Sequence, residues 1–169
     1  MKIIILISLV KTFLYCHPVV DYFDVEKFMG RWYVISLIPN WIEEGCTNSY
    51  DDYELNKDGT VSITYNALKN GKNRTIKQKG TILKKDNPGK WEIQFVKPWI
   101  PFVKVPYEVI ILDDNFEYMV VGYPDNKFGW IMSRKTFMDD VLYNEILDKL
   151  ENNFKYDRAK FEKVIHDQN

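Results

Sequence analysis

Apolar and polar residues alternate through the middle of the chain. Val61, Ile63 and Tyr65 are apolar, while the residues between them are Ser and Thr. Because successive side chains of a β-strand point to opposite faces, this alternation predicts a strand with one buried and one solvated face. Segments 76–82 and 91–95 repeat the pattern. The middle of the chain is therefore predicted to be all-β.

Turn signals separate these alternating segments. Gly or Asn, which adopt positive φ at little cost, occurs in segments 56–59, 69–71, 86–89 and 113–115. Short connections of this kind join consecutive antiparallel strands. Eight strands are predicted, at about 31–38, 47–56, 60–68, 73–84, 90–97, 105–113, 117–123 and 127–134.

Eight antiparallel strands in one meander are enough to close into an up-and-down β-barrel, a calyx whose interior holds one small ligand. A sandwich of two sheets is the alternative. After Arg134 the apolar spacing becomes helical, and two aspartates stand where they favour the positive end of a helix dipole. One C-terminal helix is therefore predicted to pack outside the barrel. Its apolar residues are Leu142, Ile146, Leu147, Leu150 and Phe154.

The first residues have the pattern of a secretory signal. Lys2 precedes a short apolar run, residues 3–10, which is too short to span a bilayer, since a span needs about 20 residues. We expect residues 1–16 to be a signal segment and residues 17–169 a single domain outside the cytoplasm, secreted or periplasmic. Cys16 is either the small residue before the cleavage site or a lipid-modified cysteine, and the bulky residue before it disfavours the second.

Composition and charge narrow the function. With 23 Lys and Arg against 24 Asp and Glu, the net charge is −1, so the chain has no general attraction for a phosphate backbone and nucleic acid is not an expected partner. The aromatic content of 11 Tyr, 10 Phe and 5 Trp exceeds what a core of this size usually needs. Some of these rings are therefore expected to line a binding surface.

Catalytic and metal-binding residues are scarce. His17 and His166 lie near the ends of the chain, which leaves no imidazole base or metal ligand within the predicted barrel. Cys46 is a candidate nucleophile, in the loop after the first strand. We expect no enzyme activity, metal or cofactor. A lipid-modifying enzyme that uses Cys46 is the alternative.

Two motifs at the ends of the strand region resemble those of lipocalins. Gly30-Arg31-Trp32 resembles the opening Gly-x-Trp motif, and 130–134, which reads Trp-Ile-Met-Ser-Arg, resembles the closing segment of bacterial lipocalins, plant temperature-induced lipocalins and apolipoprotein D. Segment 122–125 is similar to a third shared motif. The resemblance covers about residues 22–165 and implies a barrel that binds a small hydrophobic ligand, a fatty acid or a lysophospholipid, for transport or scavenging.

The resemblance also implies roles for particular residues. Trp32 would fill the closed end of the barrel with Arg134 across its ring, so these two and Gly30 are structural. Phe28 would close the pocket floor, and Tyr53 and Trp130 match pocket residues. Strand alternation extends the inward face from Trp32 to Val34, Ser36 and Ile38, and from Arg134 to Met132. Alternation alone adds Tyr65, Ile76 and Phe95, whereas the facing of 105–113 stays undecided because both of its faces are partly apolar.

Segment 98–106 has an unusual composition for a connection between strands. It contains five large apolar residues and three prolines, which prevent regular pairing. We expect Trp99 and Phe102 either to fold over the mouth as a lid, with Trp99 touching the ligand, or to contact a membrane surface together with Ile100. A protein-interaction surface is the third alternative.

Overall fold

The computed structural model describes residues 17–167 and contains one closed β-barrel. The predicted signal segment and Cys16 lie outside the described residues. The barrel strands are β1 (Gly30–Leu37), β2 (Cys46–Leu55), β3 (Val61–Lys69), β4 (Lys72–Ile82), β5 (Lys90–Lys97), β6 (Lys104–Leu112), β7 (Tyr118–Gly122) and β8 (Gly129–Ser133). Consecutive strands pair antiparallel, and β1 pairs with both β2 and β8. The predicted eight-stranded up-and-down barrel is confirmed, and the two-sheet alternative is wrong.

The remaining elements lie at the ends and outside of the barrel. They are α1 (Val25–Phe28), α2 (Asp140–Phe154), a two-residue strand β9 (Glu162–Lys163) that pairs with β1, and 3₁₀ turns at Pro124–Asn126 and Arg158–Lys160. Because the strands alternate in direction, the β1–β2, β3–β4, β5–β6 and β7–β8 connections lie at one end of the barrel. We name it the open end, and the end that carries α1 the closed end.

Trp32 and Arg134 seal the closed end. The Trp32 ring is fully buried, its Nε1 donates to the carbonyl of Phe28 at 2.8 Å, and Arg134 Cζ lies 3.7 Å from the ring centroid. Arg134 also donates to the carbonyls of Lys27, Phe28, Arg31 and Phe116 at 2.8–3.2 Å. One side chain therefore fixes α1, β1 and the β6–β7 connection together.

Gly30 allows the chain to pass from α1 into β1. Its φ is +96°, which L side chains rarely adopt, and a Cβ there would lie 3.4 Å from Arg134 Nη1. The Gly of the Gly-x-Trp motif therefore supplies both the backbone turn and the room for the guanidinium.

Helix α2 packs on the outside of the barrel, as predicted. Asp139 caps its first turn by accepting from the backbone N–H of Val141 at 2.9 Å. Its buried residues are Tyr143, Ile146, Leu147, Leu150 and Phe154. They pack against outward side chains of four strands, including Ile110 and Ile131.

An irregularity in β1 overturns two sequence expectations. The pairing with β8 shifts between Val34 and Ser36, so the side-chain alternation changes phase there. Ser36 and Ile38 were expected to point into the barrel. Instead Ser36 Oγ lies 2.9 Å from the Tyr143 hydroxyl of α2, and Ile38 joins the cluster under that helix.

A second irregularity resolves the strand whose facing was undecided. The pairing of β6 with β7 shifts between Val109 and Ile111. Val109 packs inside the barrel, whereas Ile110 and Ile111 both pack outside it. Because two consecutive residues face outward, both faces of the strand look partly apolar in the sequence.

Within residues 17–167, no helix is long and apolar enough to cross a membrane.

Candidate functional site

A cavity of about 400 Å³ occupies the barrel between the packed closed end and the open end. Its walls are mainly aliphatic and aromatic. They include Tyr65, Ile76, Ile93, Phe95, Val105, Val121, Trp130 and Met132. Tyr53 and Tyr107 border it as well, and their hydroxyls lie 2.9 Å apart, so each phenol has a polar partner. Burial raises the pKa of both phenols, which therefore stay neutral.

Six of the ten residues expected to touch ligand line this cavity. They are Tyr53, Tyr65, Ile76, Phe95, Trp130 and Met132. The other four do not. Val34 is fully buried in the inner packed cluster, and Ser36 lies outside the barrel because of the shift in β1.

Phe28 lies in the packed layer at the closed end and does not line the cavity. Its ring centroid is 5.6 Å from that of Tyr53, 5.5 Å from that of Trp32 and 5.4 Å from that of Trp91. The expected floor residue therefore supports Tyr53, and Tyr53 borders the cavity.

The β5–β6 connection divides its apolar residues between the cavity and solvent. Ile100 and Val103 line the cavity, whereas Trp99 is 71% exposed and Phe102 is 99% exposed. Trp99 is thus not a lining residue, and Ile100 is not part of the outward surface. Trp41, on the β1–β2 connection, is 74% exposed while its edge borders the cavity.

Glu43 ties the β1–β2 connection to the cavity wall. Its Oε2 accepts from Asn40 Nδ2 at 2.6 Å and from Trp130 Nε1 at 2.8 Å. Burial raises the pKa of Glu43, while these two bonds and the nearby positive charge of Arg74 partly oppose that rise. Loop residues have no periodic pattern, so nothing in the sequence marked Glu43 as a cavity residue.

Asp51 places a second carboxyl group against the cavity. It stands two residues before Tyr53 on β2, and no residue in 17–167 donates a hydrogen bond to its carboxylate. Burial raises its pKa well above the usual value, and the negative charges of Glu43 and Asp52 raise it further. The alternation that placed Tyr53 inside also places Asp51 inside, so sequence reasoning missed a residue that it had the means to find.

The candidate nucleophile lies beside the cavity wall. Cys46 is buried, its Sγ is 3.8 Å from the carbonyl of Ile42, and it packs with Tyr65 and Ile76. His17 lies outside the barrel with Nδ1 2.9 Å from Glu108 Oε2. His166 Nε2 is 2.8 Å from the carbonyl of Val34. Within residues 17–167, no group of three or more His, Cys, Asp or Glu side chains is placed to hold a metal ion.

Comparison with known proteins gives relatives for this architecture. A family model described as a lipocalin-like domain matches residues 23–166. Temperature-induced lipocalin-1 of Arabidopsis thaliana is 30% identical over 153 residues, which cover 86% of this chain and 81% of the plant protein. The outer membrane lipoprotein Blc of Citrobacter freundii is 26% identical over 129 residues, which cover 76% of this chain and 72% of Blc.

Among solved structures, insecticyanin from the tobacco hornworm Manduca sexta aligns with a TM-score of 0.71 and 20% sequence identity. The alignment covers 93% of this chain and 87% of insecticyanin. This similarity supports the same barrel fold.

Proposed function

Because the chain belongs to the lipocalin family, we propose that it carries or scavenges one small hydrophobic molecule held in its cavity. Membership of the family confirms the resemblance that the two terminal motifs indicated. The observation that supports the proposal is the cavity of about 400 Å³, walled by aliphatic and aromatic side chains. Cavities of roughly 300–1,000 Å³ with such walls are typical of small-molecule sites.

The driving force for binding is burial of the ligand's hydrocarbon. Each methylene moved from water into an apolar cavity contributes about 0.8 kcal/mol. A fatty acid or a lysophospholipid fits this chemistry through its chain, without a specific polar contact. We propose that the protein binds its ligand without changing it chemically, because Cys46 has no imidazole beside it and does not line the cavity.

A pair of variants on β4 tests the site. Ile76 lines the cavity, whereas its neighbour Lys77 is exposed on the outer face. Ile76→Trp should fill the cavity, so native mass spectrometry should show loss of the lipid that copurifies with the wild-type protein. Lys77→Trp, the matched control, should retain that lipid. Equal lipid retention by both folded variants would contradict binding in this cavity.

We propose that the open end contacts membranes when the ligand is taken up or delivered. Trp99, Phe102 and Trp41 are all exposed there, and aromatic side chains of this kind enter the headgroup region of a bilayer. Because Ile100 lines the cavity, we leave it out of the membrane-contacting surface.

Cosedimentation with anionic vesicles tests this contact. A Trp99→Ser/Phe102→Ser variant should lose vesicle association and keep its affinity for a soluble fatty acid. Phe137→Ser is the control, since Phe137 is exposed just after β8 at the closed end. Unchanged cosedimentation with weaker fatty-acid binding would show that the segment acts as a lid. Unchanged cosedimentation and unchanged binding would contradict both the membrane contact and the lid.

We also propose that the protein works outside the cytoplasm, with residues 1–16 as its signal segment and residues 17–169 as its domain. The basic start and apolar run of the segment support this, and so does the similarity to a bacterial protein described as an outer membrane lipoprotein. N-terminal sequencing and intact mass of the exported protein would distinguish cleavage near Cys16 from lipidation of that residue. A cytoplasmic product that retains Met1 would contradict the proposal.

A further inference from the structure

Asp51 places a carboxyl group at the cavity wall, where a purely apolar ligand would leave it without a partner. Its Cα is paired with that of Trp32 on β1 and that of Tyr65 on β3, so it sits in the middle of the barrel wall. Its carboxylate borders the cavity, and no donor in residues 17–167 satisfies it. A cavity-facing carboxylate that has no donor within the protein favours a ligand that brings one.

Several acceptors and hydroxyls near Asp51 have partners within the protein, whereas the buried Nε of Arg74 has none among the described residues. Glu43 accepts two hydrogen bonds, the hydroxyls of Tyr53 and Tyr107 pair, and Ser49 Oγ lies 3.2 Å from the Tyr65 hydroxyl. The unsatisfied acceptor of Asp51 is therefore open to a donor that comes with a ligand.

The charges around the cavity favour a cation. Asp51 and Glu43 are both acidic, and the positive charge of Arg74 acts on Glu43. An anionic head group beside Asp51 would meet two carboxyl groups, whereas a cation would be attracted to both. The rings of Tyr65, Trp130 and the other aromatic residues of the wall add favourable cation–π surface.

We propose that the cavity selects an apolar molecule bearing a protonated primary amine, whose N–H groups donate to the carboxylate of Asp51. This inference rests on the proposed function and specifies its ligand. It ranks a hydrophobic amine above a free fatty acid of equal chain length, which the apolar walls still admit.

Where Asp51 is protonated in the empty cavity, binding of the amine releases that proton. Burial favours the protonated form of Asp51 in the empty cavity, and an ammonium beside it favours the carboxylate. Amine affinity therefore rises as pH rises through the pKa of Asp51 in the free protein. The titratable or charged groups that act on Asp51 or lie beside it are Glu43, Asp52, Tyr53, Tyr65, Tyr107 and, through Glu43, Arg74. The three tyrosines stay neutral because their pKa values are raised, which leaves Glu43 as the competing site.

Three probes of equal chain length test the selection: decylamine, decanol and decanoate, each displacing a neutral fluorescent naphthylamine dye. Wild-type protein should bind decylamine at least tenfold more tightly than decanol, and decanoate more weakly than decanol. Asp51→Asn should reduce the affinity for decylamine to that for decanol and leave the affinity for decanol unchanged. Asp52→Asn is the matched control, since the Asp52 carboxylate faces outward to Arg31 at 2.8 Å, and it should keep the preference. Glu43→Gln should keep most of the preference for decylamine over decanol.

The outcomes separate this inference from the proposed function. Equal affinity for decylamine and decanol, or a preference that persists in Asp51→Asn, would overturn the amine selection while leaving hydrophobic binding intact. Failure of the protein to bind decanol and the dye would overturn the proposed function, and the inference with it. Calorimetry of wild-type protein over a series of pH values, in buffers of different ionisation enthalpy, gives a readout independent of the variants. Proton release with decylamine that declines as pH rises, and that decanol does not produce, supports the inference, and no release at any pH in the series contradicts it.

Discussion

Replacing Trp32 by Ala removes one of the two large indole side chains buried at the closed end, the other being Trp91. The Trp32 ring is fully buried, its Nε1 donates to the Phe28 carbonyl at 2.8 Å, and Arg134 lies over its face. Truncation of a buried Trp costs about 3–5 kcal/mol through lost burial and the cavity left behind. The Phe28 carbonyl still accepts from Arg134 Nη2 at 3.0 Å, so no buried acceptor is left unsatisfied. We therefore expect a loss of 3–5 kcal/mol and no large additional penalty.

Urea denaturation followed by circular dichroism measures this loss. Trp99→Ala is the matched control, because Trp99 is 71% exposed and its truncation should change the free energy of unfolding by less than about 0.5 kcal/mol. Ligand preference of folded Trp32→Ala protein should be unchanged, since Trp32 does not line the cavity. An unchanged unfolding midpoint together with lost ligand binding would refute the structural role of Trp32.

Three further variants test other parts of the structure. Gly30→Ala should destabilise the fold by about 1–3 kcal/mol, because φ at this position is +96°, and an unaltered thermal midpoint would contradict the strain. Ser36→Ala should cost about 1–3 kcal/mol by leaving the buried Tyr143 hydroxyl without its partner, as measured by denaturation. Ligand affinity should not change, and a changed affinity would place Ser36 in the cavity. Cys46→Ser should leave lipid affinity intact, and turnover of bound lipid, detected by mass spectrometry, that disappears in this variant would show an enzyme.

The strand pattern predicted the barrel well, because alternation and turn residues are local signals. Where the pairing shifts, alternation gave a wrong facing after Val34 on β1 and no facing for β6, whose shift follows Val109. One extra residue reverses every inward assignment beyond it, and that is why Ser36 was misplaced. The four-residue helix α1 is too short to show a period.

The cavity was predicted less completely than the barrel. The aromatic residues of the wall were found because apolar residues on a common face are recognisable. Asp51 has the same alternation as Tyr53 but is polar, so a search for apolar positions passes over it. Glu43 lies in a turn started by Asn40, whose Oδ1 accepts from the backbone N–H of Ile42 and of Glu43 itself. Its approach to Trp130 is a tertiary contact that no local pattern encodes.

The bonds made by Arg134 bear on how far such sequences can diverge. Its guanidinium donates to the main-chain carbonyls of Lys27, Phe28, Arg31 and Phe116, and every amino acid provides a carbonyl. These bonds therefore place no requirement on the side chains of the four residues that accept them, whereas Trp32, Gly30 and Arg134 itself are constrained. Closure through main-chain carbonyls lets the barrel keep its shape while much of its sequence changes. The fold itself is shared with insecticyanin at 20% identity and a TM-score of 0.71.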